Sequence, residues 1–339
     1  MNRRNPSRLL VLTVLLAGCG KSNLRETAPN GLCRVEKMVS TTQSSTSTHT
    51  EQTTYAYDSG GHLTKKTVAS ETKYTSGPGT QTFDVTDTYA YDADGFLTTH
   101  ETRVQERSPQ PNGSTLTDDR STTRTYTYTN GRVTGYATRL VSKSGTTTLA
   151  GTYTYDDTGD LTARTETQGT FERTWTYRKG LLTDYVEKSG TDAYRPYVLQ
   201  DGLVTRQTIR GTPVYVAVMT YDAQQRQTKH EEFNDGKPTR YTTRTFGDVQ
   251  PAEAILPLFK GFPTLRPEFG QPGVLATEDQ YFINATTGAT QHFRTDAFEH
   301  QKNGRGLVAR SQQNTQFLNP QTLPQRVTTI QTYTYADCD

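Results

Sequence analysis

Acid-rich turns are the first candidates for chemistry in this chain. Asp92-Ala93-Asp94-Gly95 and Asp156-Asp157-Thr158-Gly159-Asp160 place carboxylates close together. A helix-loop-helix calcium site needs acids at alternating positions and a closing Glu at fixed distance, and neither is present. Equivalent positions elsewhere read Lys179-Gly180 or Asn130-Gly131, so these acids read as turn formers. The six histidines (His49, His62, His100, His230, His292 and His300) lack His-x-x-x-His or His-Glu-x-x-His spacing, and no metal is expected. In His100-Glu101 and His230-Glu231 the neighbours fall on opposite faces of a strand, poor geometry for proton transfer. No Gly-x-Ser-x-Gly elbow or phosphate loop occurs. The expectation is a protein that is not an enzyme and carries no cofactor. Residues that meet only on folding are the route by which an enzyme could return.

The cysteines carry the remaining chemistry. Arg3, Arg4 and Arg8 precede an apolar run from Leu9 to Ala17, the layout of a processed export segment over residues 1–18. The run is too short to span a bilayer as a helix. Leu16-Ala17-Gly18-Cys19 looks like a bacterial lipobox, which implies Cys19 as the acylated, palmitate-bearing first residue of the mature chain. Gly20 after it implies sorting to the outer membrane, with the inner or outer face left open. Cys33 and Cys338 then stand at the two ends of the body. In an oxidising envelope they are expected to pair, the alternative being two free or intermolecular thiols. Such a bridge requires the first and last strands to run antiparallel side by side.

Positioning falls to a repeated phrase: aromatic-x-Tyr, a turn with Gly, one residue, then Leu or Val followed by Thr. Tyr55-Ala56-Tyr57-Asp58 leads to Gly61-His62-Leu63-Thr64, and Tyr89-Ala90-Tyr91-Asp92 to Gly95-Phe96-Leu97-Thr98. The phrase recurs around Gly131, Gly159, Gly180 and Gly202. Alternating aromatics mark one face of a strand, and the Asp/Asn/Gly cluster marks a tight reversal. The Tyr-to-Gly stretch varies by one residue while Gly to Leu/Val is constant. A one-residue slip would flip the returning strand, so a bulge at Gly in one class is expected. A second set of turns, including Lys143-Ser144-Gly145 and Asn234-Asp235-Gly236, alternates with the first. The pattern predicts an all-β, large antiparallel meander, strongly twisted or coiled and capable of closing on itself.

These residues resemble the YD repeat of bacterial Rhs and teneurin-type proteins and the short YD-like repeats of some envelope lipoproteins. The resemblance covers roughly residues 33 to 248, with an echo at Asn303-Gly304-Arg305-Gly306-Leu307-Val308-Ala309. It departs where Asp is lost (Thr129, Arg178, Gln200) and at Tyr221-Asp222, where Gly and Leu are missing. It implies a hairpin scaffold and no activity.

Removing Arg3, Arg4 and Arg8 leaves 34 basic against 35 acidic residues, so no basic patch and no nucleic-acid partner are expected. A mean hydropathy of −0.78 fits a sheet with much wet surface. The organisation expected is an export segment (1–18), a tether (19–32), the repeat sheet (33–248), a Pro-rich insertion (249–280) and C-terminal strands completing the same sheet (281–339). Ala252 to Phe259 could form two helical turns, and strands are expected over Tyr281 to Phe293, Ala297 to Gln312 and Val327 to Tyr335. Phe259, Phe262, Phe269 and Tyr281 are the candidate binding surface, since long irregular insertions cap sheets or line sites. The leading expectation is a lipid-anchored binding or scaffold module that touches the membrane only through its lipid. The alternatives are a glycan- or peptide-handling envelope component working at the insertion, and a degenerate fragment of an Rhs-type shell.

Overall fold

The computed structural model describes residues 34–75, 79–110, 113–248, 259–263, 265, 267–269, 273–284, 286–305, 307–318 and 326–336. Every described element is a strand, and there is no helix among the described residues. The first eleven are β1 (Arg34–Gln43), β2 (Ser47–Tyr57), β3 (Leu63–Tyr74), β4 (Thr80–Tyr91), β5 (Leu97–Pro109), β6 (Thr115–Thr129), β7 (Arg132–Ser142), β8 (Gly145–Tyr155), β9 (Leu161–Gln168), β10 (Phe171–Arg178) and β11 (Leu181–Ser189). Then come β12 (Asp192–Tyr194), β13 (Tyr197–Gln200), β14 (Leu203–Ile209), β15 (Tyr215–Tyr221), β16 (Gln227–Asn234) and β17 (Lys237–Phe246). The last four are β18 (Leu275–Ile283), β19 (Thr290–Lys302), β20 (Val308–Phe317) and β21 (Arg326–Ala336).

Each strand pairs antiparallel with its sequence neighbour, with one exception, and β21 returns to pair with β1. Arg34 lies opposite Ala336, the strand geometry expected of the chain ends; Cys33 and Cys338 themselves lie outside the described residues. The exception is the seam between β12 and β13. Asp192–Tyr194 pairs back with β11, Tyr197–Gln200 pairs forward with β14, and Arg195-Pro196 separates them. Pro196 has no N–H to give a ladder, so the strand splits and the sheet does not close into a barrel.

Every position of the repeated phrase has a physical task. The Leu or Val is the core: Leu97, Val133 and Val204 are fully buried, and Leu63, Leu161, Leu182 and Val308 nearly so. The second Tyr reaches back one hairpin. Its hydroxyl donates to the Leu/Val carbonyl of the preceding turn: Tyr91 to Leu63 O and Tyr128 to Leu97 O at 2.8 Å, Tyr155 to Val133 O at 2.8 Å, and Tyr221 to Val204 O at 2.7 Å. Burial pushes the Tyr155 and Tyr221 phenols up to about 12, so they remain donors across the physiological range.

The bulge sits at Thr, not at Gly, and in both turn classes. Tyr57 pairs with Leu63 and Ala56 with Lys65, skipping Thr64; Thr98, Thr134, Thr162, Thr183 and Thr205 are skipped likewise. The skipped hydroxyl donates across the strand pair, Thr98 to Ala90 O at 3.0 Å and Thr162 to Thr154 O at 3.0 Å. This gives the extra residue a partner where the ladder fails.

Loss of Asp is a change of turn class. In the shorter turns two residues take positive φ, such as Asn130 (51°) with Gly131 (73°) and Lys179 (51°) with Gly180 (73°), the type I′ geometry. In the longer turns Asp caps the loop: Oδ1 of Asp58, Asp92 and Asp156 accepts from the amides of His62, Phe96 and Asp160 at 2.8–2.9 Å. Tyr221-Asp222 keeps this longer turn, with Gln225 at φ 63° in the glycine position and Asp222 Oδ1 accepting from Arg226 N. Gly131→Val should therefore cost about 2 kcal/mol, since a β-branched residue resists positive φ. Thr129→Val, at an exposed extended position, should stay within about 0.5 kcal/mol. Equal shifts of the two urea midpoints would sink the argument.

Two expected strands are corrected. Asn284 and residues 286–289 turn between β18 and β19, with Asn284 Oδ1 accepting from Thr286 N and Thr287 N and Gly288 at φ 70°. Another reversal lies between β19 and β20, where Asn303 N donates to Leu307 O at 2.9 Å. β18 also begins at Leu275, inside the stretch assigned to the insertion.

Candidate functional site

The insertion leaves and returns at the base of β17 and β18, where Gly247 N donates to Val274 O at 2.8 Å. Its described residues then lie far round the sheet, along the rim of the tyrosine-glycine turns. Lys260 Nζ donates to Asp94 O at 2.8 Å and sits 4.4 Å over the Phe96 ring. Val133 N donates to Gly261 O at 2.9 Å, and Val204 N to Glu268 O at 2.7 Å. Phe259 packs on Tyr89, Phe262 on Tyr126, and Phe269 on Tyr197 at 5.1–5.7 Å between ring centroids. Leu265 enters the Leu161–Tyr177–Leu182 cluster. A Cβ at Gly261 would lie 2.7 Å from Gly131 O, so this close approach needs glycine.

The insertion is thus a strap across one end of the curled sheet, and it bridges the seam. Side chains also hold the seam: Arg195 grips Asp184 with two nitrogens at 3.1 and 3.2 Å, and Tyr185 stacks on Tyr197 at 4.7 Å. Beneath the strap lies a cavity of about 800 Å³, lined by Phe96, Arg132, Tyr155, Phe259, Lys260 and Phe262 among others.

Three of the four expected binding residues meet here, and the fourth does not. Tyr281 is in β18, stacked between Tyr241 and His292 at 4.4 Å on each side, away from the strap. Both ring faces are occupied, so it offers no platform to a sugar. Ala252 to Leu258 lies outside the described residues, as do Cys19 and the tether.

A polar cluster joins β7, β9 and β10. Arg164 is largely buried, lies 4.5 Å over the Trp175 ring and donates to Tyr136 Oη at 3.2 Å. Glu166 accepts from Tyr136 at 2.6 Å and from Arg173 at 3.0 Å, with Arg164 at 3.4 Å. Burial works against its charge, but these donors prevail and hold its carboxyl below the ordinary glutamate range. Burial raises the carboxyl of Glu268 in the strap, opposed by Arg164. Two carboxyls displaced in opposite directions is the pattern of an acid–base pair. Here both oxygens of Glu166 are already engaged, and neither carboxyl lines the cavity. The cluster holds strands together.

Register also creates pairs that no local spacing announces. Asp87 on β4 meets His100 on β5 at 3.0 Å and Thr102 at 2.6 Å, with His100 stacked on Tyr89. Asp279, His292 and Thr295 repeat the set on β18 and β19. Neither set has a Ser or Cys nucleophile among its partners. Among the described residues no group of three or more His, Cys, Asp and Glu could hold a metal ion.

No family model matches the chain, and no curated protein does. Among solved structures, a porin-like protein from Bacteroides uniformis superposes with a TM-score of 0.38 at 16% identity, covering 89% of this chain and 96% of that one. A TcdB2-TccC3 structure gives 0.27 at 14% identity, covering 84% of this chain and 17% of its own. A Photorhabdus luminescens Tc holotoxin pore gives 0.23 at 10% identity, again over 17% of that chain. All three scores lie below the range in which a shared fold carries functional meaning.

Proposed function

We propose that the protein is a lipid-anchored module of the bacterial outer membrane that binds or scaffolds without catalysis. The carrying observation is that Tyr136, Arg164, Glu166 and Arg173 bond one another and that the strap packs on Tyr89, Tyr126 and Tyr197. Partners are then left the exposed strand positions and the variable loops. β5 presents Glu101, Arg103 and Arg107 to solvent on one face and His100, Thr102 and Glu106, half-buried, on the other. A hydrocarbon-facing strand does not tolerate such charge, so the membrane contact proposed is the lipid on Cys19 alone. A bridge between Cys33 and Cys338 would pin β1 to β21. The partner proposed is an envelope protein, peptide or glycan.

The cavity under Phe259 and Phe262 favours a second reading, a small glycan or peptide held at the strap. One experiment addresses anchoring and address together. Intact and lysed cells are treated with protease, fractionated and immunoblotted with and without reductant, for the wild type and Cys19→Ser. The wild type should partition with membranes and the serine variant should not. Retention of the serine variant in the membrane fraction overturns the anchor. Loss of signal in intact cells would place the loops outside, and survival until lysis would place them in the periplasm. Faster migration without reductant reports the bridge.

A further inference from the structure

One position of the repeated phrase is not held to a residue type. The hydroxyl bond, the turn, the core and the bulge fix Tyr, Gly, Leu/Val and Thr, but the residue between Gly and Leu/Val changes from unit to unit. It reads His62, Phe96, Arg132 and Asp160 in four successive hairpins, and all four line the cavity at the strap. Three of them lie against the next turn. The His62 ring is 4.9 Å from that of Tyr91, Phe96 is 5.1 Å from Tyr128, and the Arg132 guanidinium is 5.8 Å from the Tyr155 ring. A Cβ on Gly159 would lie 1.9 Å from Arg132 Nη2, so this glycine makes room for the guanidinium.

The cations brought together here are held in place without being neutralised. Arg132 rests on the Tyr155 ring and Gly159, and Lys260 on the Phe96 ring and the Asp94 carbonyl. Among the described residues neither cation lies within ion-pair distance of a carboxylate, and neither Asp94 nor Asp160 within that distance of a cation. His62 differs, since its Nδ1 is already paired with Asp58 at 3.0 Å. The cavity therefore sets Arg132, Lys260, Asp94 and Asp160 beside the apolar Phe259 and Phe262. A neutral sugar would leave all four charges unanswered, and a simple anion would face both acids. A ligand with a carboxylate, an ammonium and apolar side chains answers both signs and the aromatic wall.

We propose that this cavity binds a short free peptide, its carboxylate taken by the cations Arg132 and Lys260 and its ammonium by the acids Asp94 and Asp160. This rests on the second reading above, which admits a glycan or a peptide, and it chooses between them. Ring and carbonyl contacts fix both cations before a ligand arrives, so binding costs them little side-chain freedom. The variable position of the repeat then determines specificity, because replacing His62, Phe96, Arg132 or Asp160 leaves the Tyr, Gly and Leu/Val frame intact.

The test is titration calorimetry of the mature chain with the tripeptide Ala-Phe-Ala, its N-acetylated and C-amidated forms, and maltotriose as a neutral sugar. Ala-Phe-Ala should bind, and blocking either end should weaken it by about tenfold or more. Blocking alters the ligand, so this arm does not depend on how any variant folds. Amidation should cost little further in the double variant Arg132→Gln with Lys260→Gln, and acetylation little further in Asp94→Asn with Asp160→Asn. All four positions are exposed, so both double variants should melt with the wild type. Affinity indifferent to blocking, or blocking that costs as much in the matching double variant, overturns the proposal. Binding of maltotriose but not of Ala-Phe-Ala overturns it and leaves the second reading standing; binding of neither removes both.

Discussion

Gly151→Val should lower unfolding free energy by about 3 kcal/mol, a large loss for a single methyl-bearing change on a strand. Gly151 on β8 lies directly opposite Tyr136 on β7. The Tyr136 ring lies over the glycine, and a Cβ there would sit 2.2 Å from two ring atoms. Tyr136 is 4% exposed and cannot move without giving up its bonds to Glu166 and Arg164. Glycine is therefore kept in this strand for a neighbour's ring, at the usual entropic cost. Urea unfolding of Gly151→Val against the neighbouring Ala150→Val separates the clash from strand propensity. Adding Tyr136→Leu to Gly151→Val should restore part of the loss, because the pair shares one volume. A double variant no better than the sum of the two singles would remove the explanation.

Arg164→Met should also cost about 3 kcal/mol near neutral pH, because it takes one cation from a buried carboxylate and leaves the charge behind. Its pH dependence has a definite sign. The Glu166 carboxyl is held below its ordinary range in the folded protein, so its contribution is present above the unfolded value. It is lost as pH falls through the folded one. The penalty of Arg164→Met should therefore be largest near neutral pH and shrink as pH falls and Glu166 takes up its proton. A residue should persist in acid, since the stack on Trp175 is lost at any pH. Thermal melts of both proteins across that range check this; a penalty independent of pH would assign Arg164 a packing role only.

The hairpins were legible because their determinants are local. Tyr57, Asp58, Gly61 and Leu63 lie within seven residues, and the phase of Leu/Val after Gly names the core directly. Thr64 and its counterparts are visible in the sequence, but their task depends on a carbonyl across the strand, which local spacing does not show. Tyr221-Asp222 looked broken because Gln225 replaces glycine; the Asp222 cap carries that turn. Asn284 to Gly288 carries an ordinary turn signature set inside an alternating stretch that reads as one strand. The seam was readable in principle from Pro196, which cannot serve a central strand. The strap's destination was not, since nothing in Phe259 or Glu268 states that they reach Tyr89 of β4 and Val204 of β14. The Asp87–His100 pair is hidden for the same reason: register, set by turns a dozen residues away, decides who meets.

The backward reach of the tyrosines gives the molecule a direction in time as well as in space. The hydroxyls of Tyr57, Tyr91, Tyr128, Tyr155, Tyr221 and Tyr335 each bond a carbonyl that lies earlier in the chain, Tyr57 to Val35 and, at the far end, Tyr335 to Val308. A polypeptide delivered amino terminus first therefore lays down every acceptor before the donor that needs it. No hairpin waits on a later one for this bond, and a duplicated or deleted unit would hand the same bond to whichever neighbour came next.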